Sequence, residues 1–512
     1  MEQRSKIPPG LPRENPIKSY WQDPPSDIAD CRTTPDLPTH ADVVIIGSGV
    51  SGASISYNLL SSEPNLKVVM LEARQAASGA SGRNGGHTKP ATYRSFSDNV
   101  QAVGAEDAMK ITRLEQSTME AIHAFSHEHQ IDCDSHRCQT VDVFYDPAQL
   151  QAAQKSVALM EKLMGPENCP KHIFHDGKTT AERYLAQDSL GSVEYESGSL
   201  NAYKFTIGVL KVALQMGLNL QCNTPAIRIS KSDPDTTNPT AWEDNAKTSS
   251  SVLWAVSTAS RGTISTPKLV LSTNAYSATL YPPLQGVVVP LRGVVTAQRP
   301  GQSISQSQLG GRCGLVTTYS FVHEGDFEYM ITRPSHDCKF DIVIGGGMHV
   351  APHGGLSEYG NTDDTTYDEA SAEYLLQCTK NKYFNNIWGP DHPDGQCRSV
   401  WSGIMAFSAD GYPFIGPVLG EQGLFLHVSF QGHGMVLCFS CARAVAGMIL
   451  DRDGKGEQDG LVGGEGAGVG VGVGDADGNY SMSVDGLDSW FPNCYRVTRE
   501  RLSRKFTDDH IP

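Results

Sequence analysis

The sequence predicts a two-domain α/β protein, with a Rossmann-like dinucleotide-binding domain and a second domain built on a mixed sheet. Three observations predict it. A short apolar strand, Asp42-Val-Val-Ile-Ile46, runs directly into Gly47-Ser-Gly49-Val-Ser-Gly52 and a helix of small residues. A second strand, Leu66 to Leu71, ends on an acid, Glu72. Residues 286–350 alternate apolar and polar positions, the period-two pattern typical of an antiparallel sheet.

Length and composition set the frame. The chain has 512 residues, 39% of them hydrophobic and 19% charged, which suits a globular protein with a large core rather than a disordered one. Lys and Arg number 41 against 57 Asp and Glu, a net charge of −16, which argues against nucleic acid or an anionic membrane as the main partner. No apolar run approaches the roughly 18 residues of a membrane span. The opening residues carry no apolar signal core, so a cytoplasmic location with reduced thiols is expected. The 12 cysteines are scattered. Cys438 and Cys441 form a C-x-x-C inside an apolar helical stretch and read as core residues, and no metal-ligand set is read.

In chain order, residues 1–40 are a proline-rich N-terminal arm with Ser19-Tyr20-Trp21 as an aromatic anchor. Residues 101–126 and 148–164 have helical periodicity. Ala226-Ile-Arg-Ile, Val252-Leu-Trp-Ala-Val, Gly262-Thr-Ile-Ser and Lys268-Leu-Val-Leu read as a β-meander, interrupted by a polar insertion between Arg228 and Ser251. Eleven of the 25 residues from Gly454 to Gly478 are glycine, the composition of a flexible loop. The expected division is a cofactor-binding domain from 41–95, 178–285 and 398–452. A substrate domain takes 96–177 and 286–397, a glycine-rich loop 453–478, and a C-terminal tail 479–512.

The glycine motif carries the chemistry. Gly47 allows a tight turn, Gly49 lets backbone approach a pyrophosphate, and Gly52 lets the helix pack on its strand, while the helix N-terminus faces the negative charge. Glu72 suits ribose hydroxyls, and Ser48, Ser51, Ala73 and Arg74 are assigned to the same surface. A second stretch, Ala77-Ser-Gly-Ala-Ser81-Gly-Arg83-Asn84-Gly85-Gly86-His87, has no purpose in a nicotinamide domain. A flavin needs one, because its ribityl chain and pyrophosphate run past a second backbone segment. FAD is therefore expected.

At these residues the chain resembles the D-amino-acid oxidase superfamily of FAD-dependent oxidoreductases. It is most similar to the branch holding γ-glutamylputrescine oxidase and fungal-type FAD dependent oxidoreductases, of which Ser81-Gly-Arg-Asn-Gly-Gly86 is typical. The resemblance spans roughly residues 40–450 and a tail near 490–503. It implies a glutathione-reductase-type FAD domain with Ala226 near the adenine and Thr273 and Asn274 at a strand end beside the cofactor. It also implies that Phe430-Gln-Gly432-His433-Gly434-Met435 leads into a final helix aimed at the flavin. Trp401-Ser-Gly403-Ile-Met405 followed by Asp410-Gly-Tyr-Pro-Phe-Ile-Gly416 matches the family's late motif.

Two departures matter. By spacing from Asp410, Gly403 stands where some members attach FAD through a cysteine, so non-covalent FAD is expected, with His87 the alternative attachment point. Met405 stands where glycine-oxidase-type members place an arginine that clamps the substrate carboxylate, and a thioether cannot make that bidentate bond. Arg292 and Arg333 are the alternative anion contacts, and Tyr276 and His433 could tune the pocket. No side chain is identified as an obligatory general base.

The resemblance implies oxidation of a C–N bond in an amine or N-substituted amino acid to an imine, with O2 as acceptor and H2O2 as product. The alternatives are a tailoring dehydrogenase or oxidase of a larger secondary metabolite, and a flavin-binding protein without turnover. Substrate identity and oligomeric state stay open.

Overall fold

A computed structural model describes residues 1–232, 253–306, 308–309, 312–313, 315, 317–333, 340–450 and 486–509. The glycine-rich segment 453–478 and most of the polar insertion lie outside the described residues.

One sheet has six strands, in the order Phe414–Pro417, Leu424–Val428, Lys268–Leu271, Val43–Ile46, Val68–Leu71 and Asn219–Gln221. All neighbours are parallel except the first pair. Val43-Val-Ile-Ile46 and Val68-Val-Met-Leu71 are buried at every position, as strands covered on both faces must be. Alternate side chains serve different layers. Val43, Ile45, Val68 and Met70 join a core built with the helices Val50–Ser62, Ala202–Gln215 and Cys438–Ile449. Val44, Ile46, Val69 and Leu71 pack on the opposite side with Trp254, Val256 and Ile264 of a three-stranded antiparallel sheet.

That small sheet corrects the four-strand meander. Ala226–Ser232, Leu253–Thr258 and Thr263–Thr266 do pair antiparallel. Lys268–Leu271 instead leaves them and runs parallel beside Val43–Ile46. Leu269, Val270 and Leu271 are all fully buried, and a strand apolar on both faces gains more inside the central sheet than at the edge of a small one.

The mixed sheet has nine strands: Cys397–Ser408, Val288–Gln298, Ile342–Gly346, Asp326–Thr332, Thr318–His323, His136–Phe144, Gly191–Ser199 and His87–Thr88 in order, with His172–Asp176 pairing Gly191–Ser199. One pair, Thr318–His323 with His136–Phe144, is parallel, so residues 286–350 contribute to a mixed rather than a purely antiparallel sheet. Three of its strands, His87–Thr88, Gly191–Ser199 and Cys397–Ser408, come from stretches that the sequence division places largely in the cofactor unit. Tyr93–Glu128 and Pro147–Met164 are the two predicted helices. The second starts sharply because Asp146 accepts hydrogen bonds from the amides of Ala148 and Gln149, with Pro147 in the first turn.

The arm is docked. Trp21 is 3% exposed and donates its indole N–H to Asn84 O at 2.6 Å, and the Thr279 hydroxyl donates to Gly10 O at 2.5 Å. No helix of the described residues is long and apolar enough to cross a membrane.

Candidate functional site

A cavity of about 450 Å³ lies where the C-terminal ends of the parallel strands meet the mixed sheet, the place where open α/β sheets take ligands. The turn after Val43–Ile46 forms its first wall. Gly47 has φ +108°, and a Cβ there would sit 2.6 Å from Ser272 O, so only glycine fits. Gly52 does not line the cavity; a Cβ on it would lie 2.0 Å from Gly47 O, which is the close helix–strand packing expected of the third motif glycine. Gly49, Ser48 and Ser51 face the cavity.

The second glycine-rich segment is tied to the first. Ser81 Oγ accepts the Val50 N–H at 2.8 Å, and a Cβ on Gly49 would come within 3.0 Å of that oxygen. Glu72 is held by Ser48, whose amide and hydroxyl donate to Oε2 at 3.0 and 2.6 Å, and by the Arg74 amide, which donates to Oε1 at 2.9 Å. The carboxylate is fixed at the cavity edge with acceptor capacity left over. Ala73, Arg74, Asn84, Gly85, Gly86 and His87 continue the wall, as do Ala226, Thr273, Asn274, Gly403, Gly432, His433, Gly434 and Met435. Asn274 Oδ1 accepts the Ser429 amide at 2.9 Å and so fixes the start of the turn that carries His433.

Arg83 borders the cavity, but its guanidinium is spent on structure. It is 1% exposed, donating to Ser402 O and Ile17 O at 2.6 Å each, and burial brings it down to about 10. Arg74 likewise pairs with Asp364 at 2.9 Å. Both arginines line the cavity, as expected of cofactor-side residues, while their guanidinium groups bind the arm and a neighbouring loop to the body.

These residues fit FAD. The two glycine-rich turns leave backbone open where any side chain would intrude, an acid stands at the strand end, and a helix N-terminus faces the space. The Tyr276 hydroxyl lines the same space, buried and without a protein partner, and burial raises it above its ordinary value.

The far end of the cavity is built by the mixed sheet. Met405 is there, and a Cβ on Gly293 would lie 2.9 Å from its Cε. Tyr329 lies against Gly85 and Gly345, where added Cβ atoms would each come 2.4 Å from its ring. Burial pushes the Tyr329 hydroxyl up to about 12. Arg292 is not in the cavity. Its Nε donates to Glu358 Oε2 at 2.5 Å and its Nη1 to Asp363 O and Thr366 Oγ1, because Leu291 and Gly293 take the cavity face of that strand. Arg333 is also outside, paired with Asp134 and stacked 4.9 Å over Trp21. Neither supplies the missing carboxylate clamp.

The cavity cations come from residues the sequence reading passed over. Lys89 and Arg94 line the wall, and both converge on Asp142, which is fully buried. Lys89 Nζ lies 2.5 Å from Asp142 Oδ1 and donates to Ser320 Oγ at 2.7 Å, while Arg94 reaches Asp142 Oδ2 at 2.6 Å. The hydroxyls of Tyr93 and Tyr195 donate to the same carboxylate oxygen. Burial would raise Asp142, but Arg94 and Lys89 outweigh it and hold the acid well below its usual range. Within this cluster two positive charges face one negative, and Asp326 lines the same cavity where it pairs with His349. Enclosure by the cavity walls, reinforced by Arg94 and Lys89, lowers His433, whose ring is open to the cavity, and burial lowers His87 well below its ordinary value, so both imidazoles are neutral near pH 7.

The model of the DAO family, described as FAD dependent oxidoreductase, matches residues 42–448. A probable oxidoreductase, OrdL, of Rhizobium meliloti is 24% identical over 425 residues, covering 80% of this chain and 83% of that protein. Gamma-glutamylputrescine oxidoreductase of Escherichia coli is 35% identical over 97 residues, 18% of this chain and 21% of its own. Among solved structures, glycine oxidase from Geobacillus kaustophilus superposes with a TM-score of 0.60 at 18% identity, covering 81% of this chain and 95% of its own. With its double glycine cradle and its family match over most of its length, the chain belongs to the DAO family of FAD-dependent oxidoreductases.

Proposed function

We propose that this oxidoreductase oxidises the C–N bond of an amine or N-substituted amino acid to an imine, with O2 as acceptor and H2O2 as product. Bound FAD supplies the two-electron chemistry. The observation that carries the reading is the cluster of Lys89, Arg94 and Asp142, with one positive charge in excess, beside two neutral imidazoles. Oxidation of an amine requires its nitrogen lone pair. That excess disfavours the ammonium form, and neutral His433 and His87 can accept a hydrogen bond or proton from the nitrogen. The same cluster attracts an anionic group on the substrate, taking over from the absent arginine at Met405. Tyr329, Phe327, Met348 and Met405 enclose the rest of the molecule and exclude water.

The amine and amino-acid names of the relatives agree with this substrate class. FAD is held non-covalently in this reading, since Gly403 offers no nucleophile, and acid precipitation should leave the yellow colour in solution. The deciding experiment mixes the holoenzyme anaerobically with a panel of amines, polyamine conjugates and N-alkyl amino acids. Loss of flavin absorbance near ~450 nm with one of them, and peroxide on admitting air, is expected. Bleaching by none of them, but by a larger heterocyclic metabolite, would establish the tailoring alternative; bleaching by nothing would leave a flavin-binding protein without turnover.

A further inference from the structure

Beside the cavity, three neighbouring strand ends bring together side chains that amine oxidation does not use. The hairpin Thr318–His323/Asp326–Thr332 sets His323 opposite Asp326 and Phe321 opposite Glu328. The adjoining strand Ile342–Gly346 turns through Gly346 and Gly347 into Met348–Val350, which lays His349 over the hairpin tip. His323 Nε2 lies 3.0 and 3.2 Å from the two carboxylate oxygens of Glu328, and the His323 and His349 rings are 5.0 Å apart. A ligating atom from each of His323, Glu328 and His349 lies within 4.8 Å of the other two.

We propose that His323, Glu328 and His349 form a binding site for a divalent transition cation of the zinc class. Two imidazoles and a carboxylate are a donor set that such ions take, with bonds of roughly 2.0–2.2 Å. At tetrahedral angles those bonds put neighbouring ligand atoms about 3.3 Å apart, close to the spacing His323 and Glu328 already have. His349 stands partly exposed at the edge of the cluster.

The surroundings are built for orientation. Glu328 is fully buried and accepts the Tyr383 hydroxyl, which fixes the carboxylate from behind. Asp326 Oδ2 takes His349 Nδ1 at 2.9 Å and the His349 amide at 3.2 Å, the carboxylate–histidine relay that sets ring orientation in metal sites. A second cavity of about 320 Å³ touches His323, Gly325 and Asp326 beside the cluster. The sequence spacing, H-x4-E-x20-H, matches no familiar metal motif, which is why no ligand set is read from the sequence. The same two turns carry Phe327 and Met348 into the main cavity, so a bound cation would pin its rim.

The test uses the FAD-loaded protein after treatment with a chelator, titrated with ZnCl2 by calorimetry. One equivalent of tight binding is expected, weakened at least tenfold by His349→Ala and by His323→Ala and unchanged by His353→Ala, an exposed neighbour outside the cluster. Absence of binding, or an affinity that either ligand variant leaves unchanged, would overturn the site. His349 sits at the surface of the cluster, so if His323→Ala does not fold, His349→Ala with unaltered FAD content decides alone. Oxidation of amines does not enter the readout, so this result stands apart from the fate of the catalytic reading.

Discussion

Lys89 Nζ donates to Asp142 Oδ1 at 2.5 Å, joining the segment just after the second glycine-rich turn to a strand of the mixed sheet. The contact holds a cation at the cavity wall, and burial there makes it titratable in a working range. Burial, with help from Arg94 and against the pull of Asp142, brings the Lys89 ammonium down to about 8. A cation that holds an anionic substrate is present below its pKa and lost as pH rises through it. kcat/KM for an anionic amine should therefore decline above about pH 8. Lys89→Met should remove that descending limb and raise KM roughly 10–100-fold, the loss of a charge-assisted hydrogen bond. An unchanged KM would place the anionic group elsewhere.

Gly49 and Gly52 test the cradle by different routes. Gly49→Val puts bulk against Ser81 Oγ, in the space assigned to the pyrophosphate, and should yield folded, colourless protein. Gly52→Ala forces a Cβ to 2.0 Å from Gly47 O and should disturb the turn itself, lowering the melting temperature as well as the flavin content. Flavin absorbance per chain, with the melting curve, separates the two. Full colour in Gly49→Val would contradict the cradle.

Met405 faces the cavity in register with Leu291, and both Gly293 and Gly432 leave space around its thioether. Met405→Arg should fit and should shift preference toward glycine or D-alanine by about one to two orders of magnitude in kcat/KM. Efficient use of D-alanine by the unaltered protein, matching every amine tried, would mean that Lys89 and Arg94 already clamp an α-carboxylate.

Glu115 offers a test of stability away from the site. It is 7% exposed on the Tyr93–Glu128 helix, Oε2 has no partner, and burial raises the carboxyl to about 8 despite a backbone contact with Ala91. Between about pH 4.5 and 8 the folded state keeps this proton while the unfolded chain releases it, so the group's contribution falls as pH rises through that window. Glu115→Gln should stabilise by roughly 1–3 kcal/mol at pH 8 and by almost nothing near pH 4.5. Melting temperatures of the two proteins at both pH values check it; an equal gap at both would exclude a titrating Glu115 as the cause.

The FAD-side half was legible because its signals are local. Strand, glycines, helix and terminal acid occupy residues 42–72 without interruption, and each glycine has its own steric reason. Met405 was found through the spacing of the late motif. Arg292 was not a fair candidate once register is known: on a strand with Leu291 and Gly293 inward, position 292 must turn away. The charged cluster escaped notice because Lys89, Arg94 and Asp142 meet only through sheet pairing between distant segments. The same applies to Lys268–Leu271, whose place beside Val43–Ile46 depends on a partner more than 200 residues upstream.

The parallel sheet sets how late in synthesis folding can be completed. Lys268–Leu271 needs Leu424–Val428 as its outer neighbour, and the helix Val50–Ser62 packs against Cys438–Ile449. A nascent chain thus exposes the apolar faces of its first strand and helix until the segment near residue 450 has left the ribosome. Most of the polypeptide must wait in a sticky, incomplete state, since contacts this distant in sequence close slowly. Since residues 403–407, 430–436 and 438 form part of the cavity wall, the FAD cradle is complete only when that late segment has folded onto the first strand and helix.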